Sequence, residues 1–245
     1  MKLLIYNIAY GTGSPGSTAG RLLTSHRYLY TDKEYFDQIV KFIHVANPDV
    51  IGLLEADNGS FRTNQVDQAE KLAKQLNHFH ICDNKYGLNS PGRIIPLLKN
   101  QTNAIVTAAN NNPTRFHYFP RGFKKLIIEI TINGITLFLV HLSVRKKIRA
   151  QQLTFLSTII PSGRPIIIAG DFNTFDGPVE LDKLITKCNL YNPNIAQQPT
   201  YPSWKPKHQL DYILCSNSLQ VSSFIIPKIE FSDHLPIIAE ITRTL

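Results

Sequence analysis

The stretch PIIIAGDFNTF, residues 165–175, is the part of the chain around which the fold is organised. Its apolar run, residues 166–169, lies between a proline and a glycine, and this pattern predicts a strand that is buried on both faces. Residues two apart in an extended chain point the same way, so Asp171 and Asn173 should face one spot while Phe172 anchors the opposite face. A carboxylate beside an amide suits a charged, oxygen-rich substrate. A polar turn that merely closes a strand would show the same residues.

Polar side chains recur at the ends of other apolar segments. Those at the downstream ends of predicted strands are Asn7, Glu55, His141, Asp171 and Asn173. Those at the upstream ends are Asp211, Asp233 and His234. If the first group of strands runs toward one edge of the fold and the second group runs away from it, all of these side chains gather at that edge. Any one of them alone would be an ordinary polar group of the core.

The remaining segments alternate between helical and extended patterns. A capping-box signature at residues 31–34 opens a predicted helix, which Asn47-Pro48 ends. Apolar spacing predicts further helices over 63–77, 144–160 and 177–190. Asn133-Gly134 predicts a hairpin between two strands, and residues 82–99 are expected to be irregular. No repeat, linker or change of composition appears, so we expect a single domain over residues 1–245.

The overall composition favours a polyanionic partner. The chain has 245 residues and a net charge of +8, which suits nucleic acid, phospholipid or inositol phosphate without choosing among them. The three cysteines, Cys82, Cys188 and Cys215, show no metal-binding spacing, so free thiols in a reducing compartment are expected. The amino-terminal residues predict a strand rather than a signal peptide, and no segment is long enough to span a membrane. We therefore expect a cytoplasmic monomer.

The side chains collected at strand ends predict metal-assisted chemistry. Carboxylates and amides are hard oxygen ligands that suit Mg²⁺ or Mn²⁺, whereas nothing in the sequence resembles a structural zinc site. A hard metal can neutralise phosphate oxygens, and an imidazole polarised by a carboxylate can take a proton from water. Together these groups are what phosphoester hydrolysis requires.

The motifs that carry these residues resemble those of the endonuclease/exonuclease/phosphatase superfamily. In chain order they are YNI with Asn7, LLEAD with Glu55, VHLS with His141, GDFNT with Asp171 and Asn173, LDYIL with Asp211, and SDHLPI with Asp233 and His234. The resemblance covers nearly the whole chain. It implies a four-layer α/β sandwich, in which two mixed β-sheets pack face to face and are flanked by helices. It also implies a site at one edge of that sandwich.

The resemblance further implies which residues activate water and which bind the metal. His234 would be the general base on water, and Asp211 would orient it. Glu55 and Asp233 would hold the metal, with Asn7 nearby. The number of metal ions stays open.

The remaining motif residues would handle the phosphate. Asp171 and Asn173 would bind and position the phosphate and the nucleophile, and whether Asp171 is also a metal ligand stays open. His141 would contact the phosphoryl oxygens or assist the leaving group. A histidine at this position is similar to the deoxyribonuclease and sphingomyelinase branches and differs from the abasic-site endonucleases.

Substrate choice must come from the loops, because the catalytic core is shared by enzymes with different substrates. Residues 85–100, 117–125 and 199–207 combine cations with aromatic side chains, which suits a nucleic-acid backbone or a phospholipid headgroup. We expect substrate contacts from Arg93, Asn103, Arg121 and Trp204, and we favour nucleic acid over phospholipid or inositol phosphate. Simple packing of these loops is the alternative. A catalytically inactive binding module is a remote one, since no catalytic residue is missing.

Overall fold

The computed structural model describes residues 1–17, 20, 26, 29–96 and 98–244, and it places two six-stranded sheets at the centre of the fold. The strands are β1 (Lys2–Asn7), β2 (Val50–Asp57), β3 (Phe79–Asn84), β4 (Gln101–Thr107), β5 (Thr114–Tyr118), β6 (Leu126–Ile132), β7 (Ile135–His141), β8 (Ile166–Asp171), β9 (Leu190–Tyr191), β10 (Asp211–Ser216), β11 (Leu219–Ile225) and β12 (Ile237–Arg243). Sheet I has the order β11-β12-β1-β2-β4-β3, and sheet II has the order β5-β6-β7-β8-β10-β9. Both sheets are mixed, because β1 and β2 are parallel and so are β7 and β8.

The helices cover the outer faces of the sheets. The described α-helices are α1 (Lys33–Ala46), α2 (Gln68–Leu76), α3 (Lys146–Ile159) and α4 (Asp182–Cys188). Side chains alternate along each strand, so Leu3 and Ile5 of β1 enter the core between the sheets, whereas Leu4 and Tyr6 pack with the residues of α1 and α2. A third apolar cluster joins sheet II to α3 and α4. This arrangement confirms the predicted sandwich of two mixed sheets and flanking helices.

Capping residues and turn residues in the sequence explain where most helices and strands begin and end. Asp32 caps α1 by accepting a hydrogen bond from Glu34 N, and Asn47 ends the helix in a left-handed conformation. The hairpin at Asn133-Gly134 is confirmed as the turn between β6 and β7. Two predictions were wrong. The helix α2 begins at Gln68 rather than at residue 63, because Asp67 caps it, and residues 82–84, which were expected to be irregular, belong to the strand β3.

The polarity of the strands brings their polar ends to one edge, as predicted. β7 and β8 end at the edge where β10 begins, and the register pairs His141 with Asp171 and Asp171 with Asp211. In sheet I, Asn7 ends β1 opposite Leu54, so Glu55 follows immediately at the same edge. The three cysteines form no disulfide, as expected. Among the described residues, no helix has the length and apolar character needed to cross a bilayer. A single domain over the whole chain stays a prediction.

Candidate active site

A row of three polar residues crosses the end of sheet II. His141, Asp171 and Asp211 lie on three adjacent strands at paired register positions. Gly170 allows β7 and β8 to come close enough, since a Cβ atom there would lie 1.9 Å from the carbonyl oxygen of Val140. Its φ of +141° is also in the region that only glycine adopts readily. The glycine of the GDFN motif therefore sets the spacing of the row.

Asp171 is the carboxylate that the other side chains surround. Its Oδ2 accepts a hydrogen bond from Asn7 Nδ2 at 3.2 Å and lies 3.2 Å from His141 Nε2. Its Oδ1 accepts from the backbone N–H of Asn173 at 3.0 Å. Burial alone would raise the pKa of Asp171, but the imidazoles of His141 and His234 outweigh burial and hold the pKa low. Asp171 is therefore ionised although only 1% of its surface is exposed.

His234 and Asp211 form a hydrogen-bonded pair beside this carboxylate. His234 Nδ1 lies 2.8 Å from Asp211 Oδ2, which also accepts a hydrogen bond from Thr200 Oγ1 at 2.6 Å. His234 Nε2 lies 3.9 Å from Asp171 Oδ2, and the ring of Tyr201 packs 4.8 Å from the imidazole. Burial would lower the pKa of His234, but Asp211 and Asp171 outweigh it and raise the pKa to about 10. The geometry is that of a carboxylate orienting an imidazole.

Glu55 reaches the same edge from sheet I in an unusual backbone conformation. It sits at an irregularity in the pairing of β2 with β4 and has a φ of +52°. Its backbone N–H donates to Asn103 Oδ1 at 3.3 Å. A non-glycine residue in the left-handed region is strained, and such strain concentrates at functional sites. The bulge thus directs this carboxylate away from the regular sheet.

Two lysines from the predicted substrate loops surround the Glu55 carboxylate, although neither was predicted to contact a residue of the motif set. Lys124 Nζ lies 2.9 Å from Glu55 Oε1 and 2.5 Å from His141 Nε2. Lys85 Nζ lies 3.8 Å from Glu55 Oε1 and donates a hydrogen bond to Tyr10 OH. Burial lowers the pKa of Lys85 to about 7. Burial would by itself raise the pKa of Glu55, but Lys124 and Lys85 together hold it far below its usual value.

The donor set at this edge fits a hard divalent cation. Asp171, Asp211 and His234 each offer one ligand atom, and these three atoms lie within 4.8 Å of one another. Asp211 Oδ1 is buried without a hydrogen-bond partner among the described residues, as a ligand oxygen would be. This set differs from the predicted metal ligands Glu55, Asp233 and Asn7, whose role stays a prediction. Asp233 adjoins His234 and contributes to its raised pKa.

A comparison with protein-family models identifies the chain. The model described as "Endonuclease/Exonuclease/phosphatase family" matches residues 6–234. The chain belongs to this family. The match begins one residue before Asn7 and ends at His234, so it contains every residue of the row and both members of the His234–Asp211 pair.

Individual proteins similar to this family member extend the comparison. The uncharacterized protein YbhP of Escherichia coli (strain K12) is 28% identical over 131 residues, which cover 48% of this chain and 50% of YbhP. The chain thus aligns with about half the length of that relative. The structure of the human Nocturnin catalytic domain with bound sulfate anion has a TM-score of 0.67 at 19% identity, covering 100% of this chain and 93% of that one. Mannosyl-6-phosphatase Bt3783 of Bacteroides thetaiotaomicron VPI-5482 has a TM-score of 0.71 at 13% identity, covering 99% of each chain. These structural likenesses show the fold.

The predicted substrate-binding residues of this family member have different surroundings. Arg93 is half-buried, and its Nη2 pairs with Asp83 Oδ2 at 3.1 Å. Asn103 is buried and supports the backbone of Glu55. Arg121 is exposed, and Trp204 is half-buried in the proline-rich loop. Residue 97 of the 85–100 loop lies outside the described residues. Of these four predicted residues, Arg121 is the one whose cationic side chain is largely exposed.

Proposed function

We propose that the protein is a divalent-metal-dependent phosphoesterase in which His234 takes a proton from the attacking water. The observation that supports this proposal is the 2.8 Å contact between His234 Nδ1 and Asp211 Oδ2, beside Asp171 at the edge where the motif residues meet. Asp211 fixes the ring so that Nε2 points to the side of Asp171, where water and phosphate would meet. The family membership supports phosphoester chemistry in general.

The remaining side chains would bind and orient the phosphate. Asn173 is placed for this because its backbone N–H binds Asp171 and its side-chain amide donates to Leu142 O at 3.0 Å, which fixes the loop after β8. Burial and the nearby Lys124 ammonium lower the pKa of His141, so its neutral ring can contact phosphoryl oxygens. Mg²⁺ or Mn²⁺, held by Glu55 with Asp233 and Asn7 nearby, would supply charge neutralisation at the phosphate and a lowered water pKa.

The substrate class is proposed from the charge of the chain and the rim of the site. The net charge of +8 suits each of these classes, and the exposed Arg121, which could contact a nucleic-acid backbone beyond the scissile phosphate, favours nucleic acid over phospholipid or inositol phosphate. A catalytically inactive binding module is disfavoured because each of the acid, base and amide positions of the motif set is filled. The monomeric state and the cytoplasmic location stay predictions.

Metal-dependent hydrolysis of a chromogenic diester tests the function. The purified protein should hydrolyse bis-p-nitrophenyl phosphate with Mg²⁺ or Mn²⁺, lose this activity in excess EDTA, and regain it when metal is returned. His234→Ala serves as the control for contaminating hydrolases. Full turnover in EDTA, or equal turnover by the variant, would contradict the proposal. A parallel panel of DNA, RNA, sphingomyelin and inositol phosphates then identifies the substrate class.

A further inference from the structure

Lys124 is a residue of the site to which the proposed chemistry assigns no role. Its Nζ lies 2.9 Å from Glu55 Oε1 and 2.5 Å from His141 Nε2. His141 Nε2 lies in turn 3.2 Å from Asp171 Oδ2. The ammonium group of Lys124 therefore lies between the Glu55 carboxylate of sheet I and the row of polar residues at the end of sheet II. This is where the phosphate would bind.

The loop that carries Lys124 is fastened to the site by a buried glutamine of α3. Gln152 Nε2 donates to the carbonyl oxygens of Arg121 and Lys124, both at 3.1 Å. Its Oε1 accepts from the backbone N–H of Ser143 at 2.8 Å, just beyond the end of β7. Gly122 permits this approach, since it has a φ of +105° and a Cβ there would lie 2.6 Å from Gln152 Nε2. The fold thus holds the Lys124 backbone against the strand that carries His141.

The two lysines near Glu55 differ in their exposure and in the contacts that hold them. The side chain of Lys85 is 3% exposed, and it is held by Tyr10, whose hydroxyl accepts its hydrogen bond. The side chain of Lys124 is 23% exposed and reaches Glu55 from a loop. Lys124 is therefore the lysine of this pair that a ligand can reach, while Lys85 lies buried beside the Glu55 carboxylate.

We propose that Lys124 binds the phosphoryl group of the substrate and gives the protein a preference for phosphate monoesters over diesters. This inference rests on the proposed phosphoesterase function. A monoester carries about −1.5 to −2 charge at neutral pH and three terminal oxygens, whereas a linkage within a nucleic-acid backbone carries about one negative charge. The carboxylates Glu55, Asp171, Asp211 and Asp233 repel an anion, so a second substrate charge requires a cation beyond the metal. Lys124 supplies it.

A preference for phosphate monoesters restricts which members of the proposed substrate classes the protein would hydrolyse. A nucleotide, the terminal phosphate of a nucleic acid or an inositol phosphate presents a monoester group. An internal linkage of DNA or RNA does not, because both of its bridging oxygens are esterified. The extra terminal oxygen of the monoester is the acceptor that Lys124 would reach.

Comparing a monoester with a diester distinguishes a role of Lys124 in monoester preference from a general effect on activity. We would measure kcat/KM with Mn²⁺ for p-nitrophenyl phosphate and bis-p-nitrophenyl phosphate. Lys124→Met should lose about tenfold to a hundredfold on the monoester, as expected for one charge-assisted hydrogen bond, and much less on the diester. Lys124→Arg should keep most of the preference. Lys41→Met is the control, because this exposed lysine lies on α1, outside the site and outside the predicted substrate loops.

Binding of inorganic phosphate gives a readout that does not depend on turnover. Calorimetry should show phosphate affinity falling about tenfold or more in Lys124→Met and unchanged in Lys41→Met. Equal losses on both esters, unchanged phosphate affinity, or a change confined to Mn²⁺ affinity would overturn the assignment and leave Lys124 as a counter-ion of Glu55. If the wild type hydrolyses neither ester but Lys124→Met still loses phosphate affinity, the proposed function fails while the phosphate-binding role stands.

Discussion

Asp171 and Asp211 are direct partners across the antiparallel pair β8 and β10. Like charges at such positions repel each other, yet both side chains are buried. Each has its own imidazole: His141 Nε2 lies 3.2 Å from Asp171 Oδ2, and His234 Nδ1 lies 2.8 Å from Asp211 Oδ2. Each carboxylate of the row thus has an imidazole partner, and removing that partner leaves the carboxylate buried without it.

The first prediction concerns the His234–Asp211 pair. Replacing His234 with Ala should lower kcat by about 10²–10⁴-fold, because the base is lost. The double variant with Asp211→Ala should be little worse than His234→Ala alone, since the carboxylate acts only through the imidazole. Steady-state kinetics of both single variants and the double variant check this, with circular dichroism to confirm folding. Fully additive losses would show that the two residues act independently.

A second prediction follows from the raised pKa of His234. The carboxylates stabilise the imidazolium, so in metal-free protein the ring should lose its proton near pH 10 rather than at its ordinary 6.5. Its contribution to stability is then full below pH 6.5 and lost as the pH rises through about 10. Asp211→Asn should lower this pKa toward the ordinary value.

Nuclear magnetic resonance of the histidine side chains measures this pKa directly. The exposed Asp182→Asn on α4 is the control, and it should leave the His234 titration unchanged. An unshifted titration in Asp211→Asn would show that Asp211 does not set the charge of the ring. Since a general base must be neutral, adding Mg²⁺ should also lower the pKa, because a cation near the carboxylates disfavours the imidazolium.

The edge that carries the candidate site could be predicted from sequence, because its polar residues lie at the ends of apolar segments. Glycine, proline and capping residues fix where those runs stop, and strand polarity then fixes which edge each end reaches. The edge strand β3 was not predicted, because polar residues such as His80, Asp83 and Asn84 interrupt the alternation of apolar and polar side chains that indicates a strand. It borders only β4, so fewer of its side chains need to be apolar.

The lysines of the site could not be predicted in the same way. Lys85 and Lys124 lie in loops, and their positions depend on contacts far along the chain, such as the hydrogen bonds from Gln152 to the 121–124 segment. Periodicity carries no information about such contacts. Likewise, nothing local to Arg93 shows that Asp83 already compensates its charge.

The third prediction concerns Glu55 as a metal ligand. Glu55→Gln keeps the shape of the side chain but removes its charge, so Mn²⁺ affinity measured by calorimetry should fall by about tenfold or more. Folding should be little changed, although the ion pair with Lys124 is lost. Glu70→Gln is a suitable control, because Glu70 forms an exposed ion pair with Lys74 on α2. A wild-type metal titration in Glu55→Gln would make Glu55 a structural residue.

The last prediction tests the preference for nucleic acid through salt dependence. If phosphates of a nucleic acid contact the rim, turnover should fall steeply as salt rises, because binding releases counterions. Arg121 is exposed, so Arg121→Ala should reduce the slope of log kcat/KM against log salt by about one. Arg93→Ala should flatten it less, since Asp83 already compensates that guanidinium.

Neither substitution should affect hydrolysis of a small chromogenic ester, which is too short to reach the rim. Lys41→Ala on α1 is the control for loss of an exposed cation elsewhere on the protein. An unaltered slope in Arg121→Ala would remove the rim from substrate binding. If the protein turns over only sphingomyelin or inositol phosphates in the substrate panel, the preference for nucleic acid is wrong. The proposed roles of His234 and Asp211 would be unaffected, because those residues act on water and on the phosphate group that all of these substrates share.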